Sequence, residues 1–163
     1  MSKDIAQALA AIPGTILLAG AGKMGGAMLT GWLNAGVALK RIAVIEPHVS
    51  EDLRKLTALD LRINPTTNET GSLAALVIAV KPQSFPEAAP LLGTFTSPST
   101  LVVSIMAGMT IAKISEGCGG AVVRAMPNTP AAIGRGMTVG AAAATVTADQ
   151  RAFADALPPA TGA

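Results

Sequence analysis

Short apolar runs of strand length alternate along the chain with stretches whose apolar residues recur at helical spacing. "TILLAG" (15–20), "RIAVIE" (41–46), "LAALVIAV" (73–80), "LVVSIM" (101–106), "AVVRAM" (121–126) and "GMTVGA" (136–141) read as strands. Their β-branched residues and flanking Gly, Pro or Asn favour extended structure over short buried helices. "LRIN" (61–64) is a weaker strand candidate. Between these runs, "KMGGAMLTGWLNAG" sets Met24, Met28, Leu29, Trp32 and Leu33 on one recurring face, and Gly36 closes the predicted helix. "SEDLRKLTAL" opens on Ser50 followed by two acids, an N-cap with charges suited to the helix dipole. "QSFPEAAPLL" and "TIAKISEG" are further helices, and "TADQRAFADAL" starts another with Thr147 as its N-cap. Strand and helix in repeated alternation predict an α/β fold with a doubly wound, mostly parallel sheet.

The composition supports buried strands. Of 163 residues, 50% are hydrophobic and only 13% charged, a balance that fits a sheet covered on both faces and excludes disorder. Mean hydropathy is positive, yet the longest clean apolar run, Leu73 to Val80, has eight residues. A membrane-spanning helix takes roughly 20, so no membrane association is expected. The opening "MSKDIAQALAAIPG" is too short and interrupted for a secretory signal. A net charge of +2, no run of Lys or Arg, and few aromatic rings argue against nucleic acid as a partner. The single cysteine, Cys118, suits a reducing cytoplasm and reads as filler of a turn beside a strand rather than a nucleophile. His48 is the one histidine, so no clustered metal site is expected.

Gly20-Ala21-Gly22-Lys23-Met24-Gly25 matches G-x-G-x-x-G between a strand and a helix. In that context the first glycine permits a tight turn, the second leaves room for a pyrophosphate, and the third lets helix and strand pack closely. The motif makes the predicted sheet a Rossmann-type dinucleotide-binding domain; the bland alternative is a tight turn with no ligand. Glu46 ends the second strand 21 residues after Gly25, where an acid accepts ribose hydroxyls and repels a 2′-phosphate. That favours NAD over NADP, unless His48, Lys40 or Arg41 offsets the charge; otherwise Glu46 is a solvated strand-end acid. "AVKPQ" (79–83) puts Lys81 after the strongest strand, either facing ribose or phosphate or simply solvated. Ala107 and Gly108 end "SIMAGM" with residues small enough for a flat ring, or for a tight turn alone. "MPNTPAAIGRG" (126–136) is a proline-stiffened loop between two strands expected to be buried, and it offers Asn128 and Thr129 to a ligand.

Taken together, "AGAGKMGGAML", "AVKPQ", "VSIMAGM" and "VVRAMPNTPAAIGRGMT" resemble the amino-terminal half of pyrroline-5-carboxylate reductases. The resemblance implies reduction of 1-pyrroline-5-carboxylate to proline with NADPH or NADH. It implies that the backbone from Ala21 to Gly25 holds the pyrophosphate, bordered by Lys23 and Met24. Val80, Lys81 and Pro82 would line the ribose and nicotinamide side, Ala107 and Gly108 would flank the nicotinamide, and Asn128 would approach its carboxamide. Asn68 is the candidate for a cofactor-touching asparagine that the family carries upstream of "AVKP". No side chain is required as catalytic acid, base or nucleophile. The family continues into a helical domain that interlocks subunits and binds the substrate carboxylate. Residues 1–157 are accordingly expected to be the dinucleotide-binding domain and 158–163 a truncated tail. The helical domain is expected to be missing from this chain, and the chain alone is expected to be inactive. A homodimer or larger oligomer is expected when that domain is present. A β-hydroxyacid dehydrogenase-type reductase and a non-catalytic dinucleotide-binding module remain as alternatives.

Overall fold

The computed structural model describes Leu9, residues 12–126 and residues 138–157. Among these residues, seven strands form one sheet. They are β1 (Thr15–Ala19), β2 (Ile42–Ile45), β3 (Arg62–Ile63), β4 (Leu73–Ile78), β5 (Leu101–Ser104), β6 (Ala121–Met126) and β7 (Thr138–Ala142). Their spatial order is β3-β2-β1-β4-β5-β6-β7, parallel except for β7, which runs antiparallel to β6. The helices are α1 (Lys23–Asn34), α2 (Glu51–Thr57), α3 (Thr67–Thr70), α4 (Phe85–Gly93), α5 (Ile111–Cys118) and α6 (Ala148–Ala156). The mostly parallel, doubly wound sheet expected from the pattern is therefore present, the weak strand in "LRIN" included.

Strand periodicity sorts the core into two layers. Ile16, Leu18, Val44, Val77 and Val103 face one side, against Met28, Leu29 and Trp32 of α1, Leu53 of α2 and Phe153 of α6. Leu17, Ala19, Leu76, Ile78 and Val102 face the other, against Phe85, Ala89 and Leu92 of α4 and Ile114 and Cys118 of α5. Central strands buried on both faces account for the unbroken apolar runs. Two expectations need correction. Met24 is 48% exposed and does not share the buried face of Met28 and Trp32, because it stands in the first turn, beyond the sheet's cover. At β7, Gly140 and Ala141 are exposed, since nothing described pairs with the strand's outer side; it is an edge rather than a buried strand.

The helix starts follow local chemistry. Ser50 Oγ accepts from the Leu53 N–H at 3.2 Å, and Thr110 Oγ1 from the Lys113 N–H at 3.1 Å. Thr66 with Glu69, and Thr147 with Gln150, form reciprocal capping boxes. After α1, the Gly36 N–H bonds Leu33 O and the Val37 N–H bonds Trp32 O, the paired pattern that stops a helix at a glycine.

Cys118 ends α5 inside the second layer, and burial pushes its thiol up to about 11 from 9.0. A pKa raised on folding means that the unfolded chain ionises first. The stabilisation is thus intact below about pH 9 and lost as pH rises through about 11, on the order of 1–3 kcal/mol. Urea titrations across that window should show this loss in the parent and a shallower pH slope in Cys118→Ala.

Candidate functional site

The parallel strands end level with one another. Ala19 of β1 pairs with Ile45 of β2 and Ile78 of β4, and Ile78 pairs with Ser104 of β5. Backbone bonds extend the alignment past the strand ends. The Gly20 N–H reaches Ile45 O at 2.9 Å, Ala79 N–H reaches Ala19 O at 2.8 Å, and Ile105 N–H reaches Ile78 O at 3.1 Å. One edge of the sheet therefore gathers the glycine loop, Glu46, Asn64, Val80–Pro82 and Ala107–Gly108. It is also where the strand order reverses between β1 and β4, the place at which open α/β sheets form a ligand crevice.

The three motif glycines differ in what confines them. Gly20 adopts a φ of +91°, and a Cβ there would lie 3.0 Å from the Ala79 backbone and 3.0 Å from Val80 Cγ1. At Gly25 a Cβ would collide with the Gly20 carbonyl oxygen and lie 2.8 Å from the Gly20 carbonyl carbon. Those two positions hold β1 and α1 together. Gly22 is unlike them: a Cβ there would meet nothing within 4 Å. Its lack of a side chain opens space without relieving any contact within the chain.

Gly22 is also the N-cap of α1, and no side chain caps that end. The first turn holds no acid and begins with Lys23, a charge opposite to the one the helix dipole favours. Free N–H groups, an open approach at Gly22 and a cation make a cradle that fits a diphosphate. Lys23 and Met24 are exposed beside it. Lys81 is exposed and N-caps a 3₁₀ turn, Pro82–Ser84, whose start Pro82 fixes. Ala107 and Gly108 are exposed beyond β5, Gly108 with a φ of +73°.

Glu46 is half-buried and turned toward the loop. Its Oε1 accepts from the Ala21 N–H at 3.0 Å, and Oε2 from the His48 N–H at 3.3 Å. Of the three suggested basic neighbours only His48 reaches it, and through its main-chain N–H. Arg41 points to the amino-terminal edge, donating through Nε to Gly14 O at 3.0 Å and through Nη2 to Ile12 O, with its guanidinium over the Phe153 ring. Lys40 is exposed, and among the described residues no lysine or arginine pairs with Glu46.

Asn68 makes no hydrogen bond to the glycine loop among the described residues. It lies exposed on α3, whose following carbonyls are tied toward the amino-terminal edge: Glu69 O to Arg62 Nη1 at 2.8 Å and Thr70 O to Thr15 Oγ1 at 2.8 Å. Thr15 starts β1, the far end from Gly20, so the carboxyl end of α3 is anchored away from the glycine loop. The asparagine that does reach this edge is Asn64, which sequence reasoning passed over. A strand-end asparagine before a proline, beside the predicted acid, was the available signal. Asn128 lies outside the described residues. A separate cleft of about 370 Å³, lined by Leu73, Thr96, Ser99, Leu101 and Gln150 among others, opens at the opposite edge of the sheet.

The glycine geometry makes a stability prediction. Gly25→Ala drives a methyl group into the Gly20 backbone and should cost about 1–3 kcal/mol or prevent folding. Gly22→Ala faces open space and should cost no more than about 1 kcal/mol, the loss from a poorer N-cap. Thermal and urea unfolding of the two variants check this contrast.

Comparison with known proteins agrees with the motifs. Residues 15–108 match the family model described as NADP oxidoreductase, coenzyme F420-dependent. A pyrroline-5-carboxylate reductase from Synechocystis sp. is 39% identical over 123 residues, covering 74% of this chain and 45% of that protein. One from Mycobacterium leprae is 31% identical over 152 residues, covering 87% of this chain and 50% of its own length. The solved pyrroline-5-carboxylate reductase of Coxiella burnetii superposes with a TM-score of 0.70 at 25% identity, covering 90% of this chain and 57% of that one. The chain thus spans about half the length of the curated relatives it matches. With more than half of its residues matched by the family model and the glycine cradle at the strand ends, the chain belongs to the family of NADP oxidoreductases described as coenzyme F420-dependent.

Proposed function

We propose that this chain is the nicotinamide-dinucleotide-binding part of a reductase that converts 1-pyrroline-5-carboxylate to proline, with NADPH or NADH as the reductant. The observation that carries the reading is the cradle from Gly20 to Gly25, set within a chain similar to pyrroline-5-carboxylate reductases over 74% of its length. When bound, the reduced nicotinamide supplies the hydride. The protein's own part is then to hold and orient, which explains why the strand ends need present no paired acid and base. The uncapped N–H groups from Gly22 and the Lys23 charge favour a diphosphate. Glu46 offers acceptors to ribose hydroxyls, and its unpaired charge favours NADH over NADPH. Ala107 and Gly108 leave room for a planar ring, with Val80, Lys81 and Pro82 along the approach. Asn128 belongs to this reading by resemblance alone. We place the protein in the cytoplasm, and the complete enzyme in a homodimer or larger oligomer. Among the described residues no helix is long and apolar enough to cross a membrane.

Titration of the 163-residue chain with NADH and NADPH, followed by their own fluorescence, tests the reading. The parent should bind. Gly22→Asp should lose at least about tenfold in affinity while keeping its fold, because a carboxylate then stands where the diphosphate belongs. Equal binding by parent and variant would refute the cradle. Adding 1-pyrroline-5-carboxylate should produce negligible oxidation of the coenzyme by the chain alone. Turnover should appear when the chain is fused to the remaining half of the Synechocystis relative. Rates of roughly 1–1000 per second from the chain alone would place the whole site within these residues.

A further inference from the structure

The end of β2 is held by a side chain rather than by a strand. β3 pairs with β2 only through Arg62 and Ile63, opposite Ala43 and Val44, so the ladder stops before Glu46. Asn64 takes over from there. Its backbone, at a φ of +50°, still donates to Val44 O at 2.7 Å, and the turn brings its amide alongside the Glu46 main chain. Oδ1 accepts from the Glu46 N–H at 2.8 Å, and Nδ2 donates to Glu46 O at 2.9 Å. The amide thus acts as one more rung of the ladder, satisfying both backbone groups of the residue whose carboxylate meets the glycine loop. Aspartate could not donate to the Glu46 carbonyl, and leucine or serine could not bridge both groups. Asparagine is also a residue that tolerates the left-handed backbone found here.

We propose that Asn64 is a positioning residue for coenzyme choice. By fixing the Glu46 main chain it keeps the carboxylate beside Ala21, where it accepts ribose hydroxyls and repels a 2′-phosphate, so NADH is preferred. A mobile Glu46 could swing toward solvent, where water screens its charge and the repulsion falls. Arg41 is committed to the Gly14 and Ile12 carbonyls and does not neutralise the acid. This inference rests on the dinucleotide reading above and adds to it the origin of discrimination.

The test compares dissociation constants for NADH and NADPH, by coenzyme fluorescence or calorimetry, in the full chain and its variants. Asn64→Gly removes the amide while keeping the positive φ accessible, which separates the lost clamp from backbone strain. The parent should favour NADH, and Asn64→Gly should lower the NADH-to-NADPH affinity ratio by about tenfold. Asn64→Ser, which keeps a short polar side chain that cannot bridge both groups, should move the ratio in the same direction. In a Glu46→Gln background the ratio is already lowered, and adding Asn64→Gly should change it less than twofold. A ratio unmoved by Asn64→Gly and Asn64→Ser in the native background overturns the proposal, as does an equal shift with and without Glu46. A parent that binds neither coenzyme overturns the dinucleotide reading itself, and the inference with it. A parent that binds both with an unmoved ratio overturns only the role of Asn64.

Discussion

The turn from β1 into α1 is the contact on which the site depends. Gly25 stands against the carbonyl of Gly20, which in turn lies against the backbone of Ala79 at the end of β4. Three chain segments meet here, and neither glycine places a side chain between them. That closeness points the first turn of α1 at the strand ends, and its unbonded N–H groups with it. It also sets the distance between α1 and the sheet, on which Met28, Leu29 and Trp32 pack. Packing and chemistry are coupled at this one point. Widening the turn would loosen the first core layer and misdirect the cradle together.

Polar organisation follows the same division between sheet edges. At the amino-terminal edge, Arg41 and Arg62 spend their guanidinium groups on main-chain and hydroxyl oxygens of neighbouring segments. These bonds join the segment before β1, the start of β1, α3 and the turn before β2. They serve architecture, since four of the five bonds satisfy main-chain carbonyls. At the carboxyl edge, Glu46 and Asn64 hold the glycine loop instead, and Lys23 and Lys81 are exposed. Two exposed cations are thus on the edge with the open helix terminus.

Much of this was legible in the residues. Apolar runs with β-branched side chains located β1, β2, β4, β5 and β6, because a strand buried on both faces leaves no room for polar alternation. Ser50 and Thr147 marked helix starts, because a hydroxyl that accepts from an N–H three residues on is a local interaction. The end of the strand in "TILLAG" was placed one residue late, since Gly20 leaves the extended region to make its turn. Met24 was grouped with the buried face by spacing alone, which cannot reveal where along a helix the sheet stops.

By itself, the sequence determined the order of strands and helices and the glycine turn, which arise from residues close along the chain, and the two-sided burial, which the unbroken apolar runs record. Only the tertiary structure decided which polar residues share an edge. Asn68 was expected at the cofactor, yet the helix that carries it is tied to Thr15 through the Thr70 carbonyl, while Asn64, four residues earlier, grips Glu46. Arg41, five residues from Glu46, turns the opposite way to reach Gly14. Such choices depend on which carbonyls and N–H groups remain unsatisfied after the strands have paired, and that inventory exists only once the sheet has assembled.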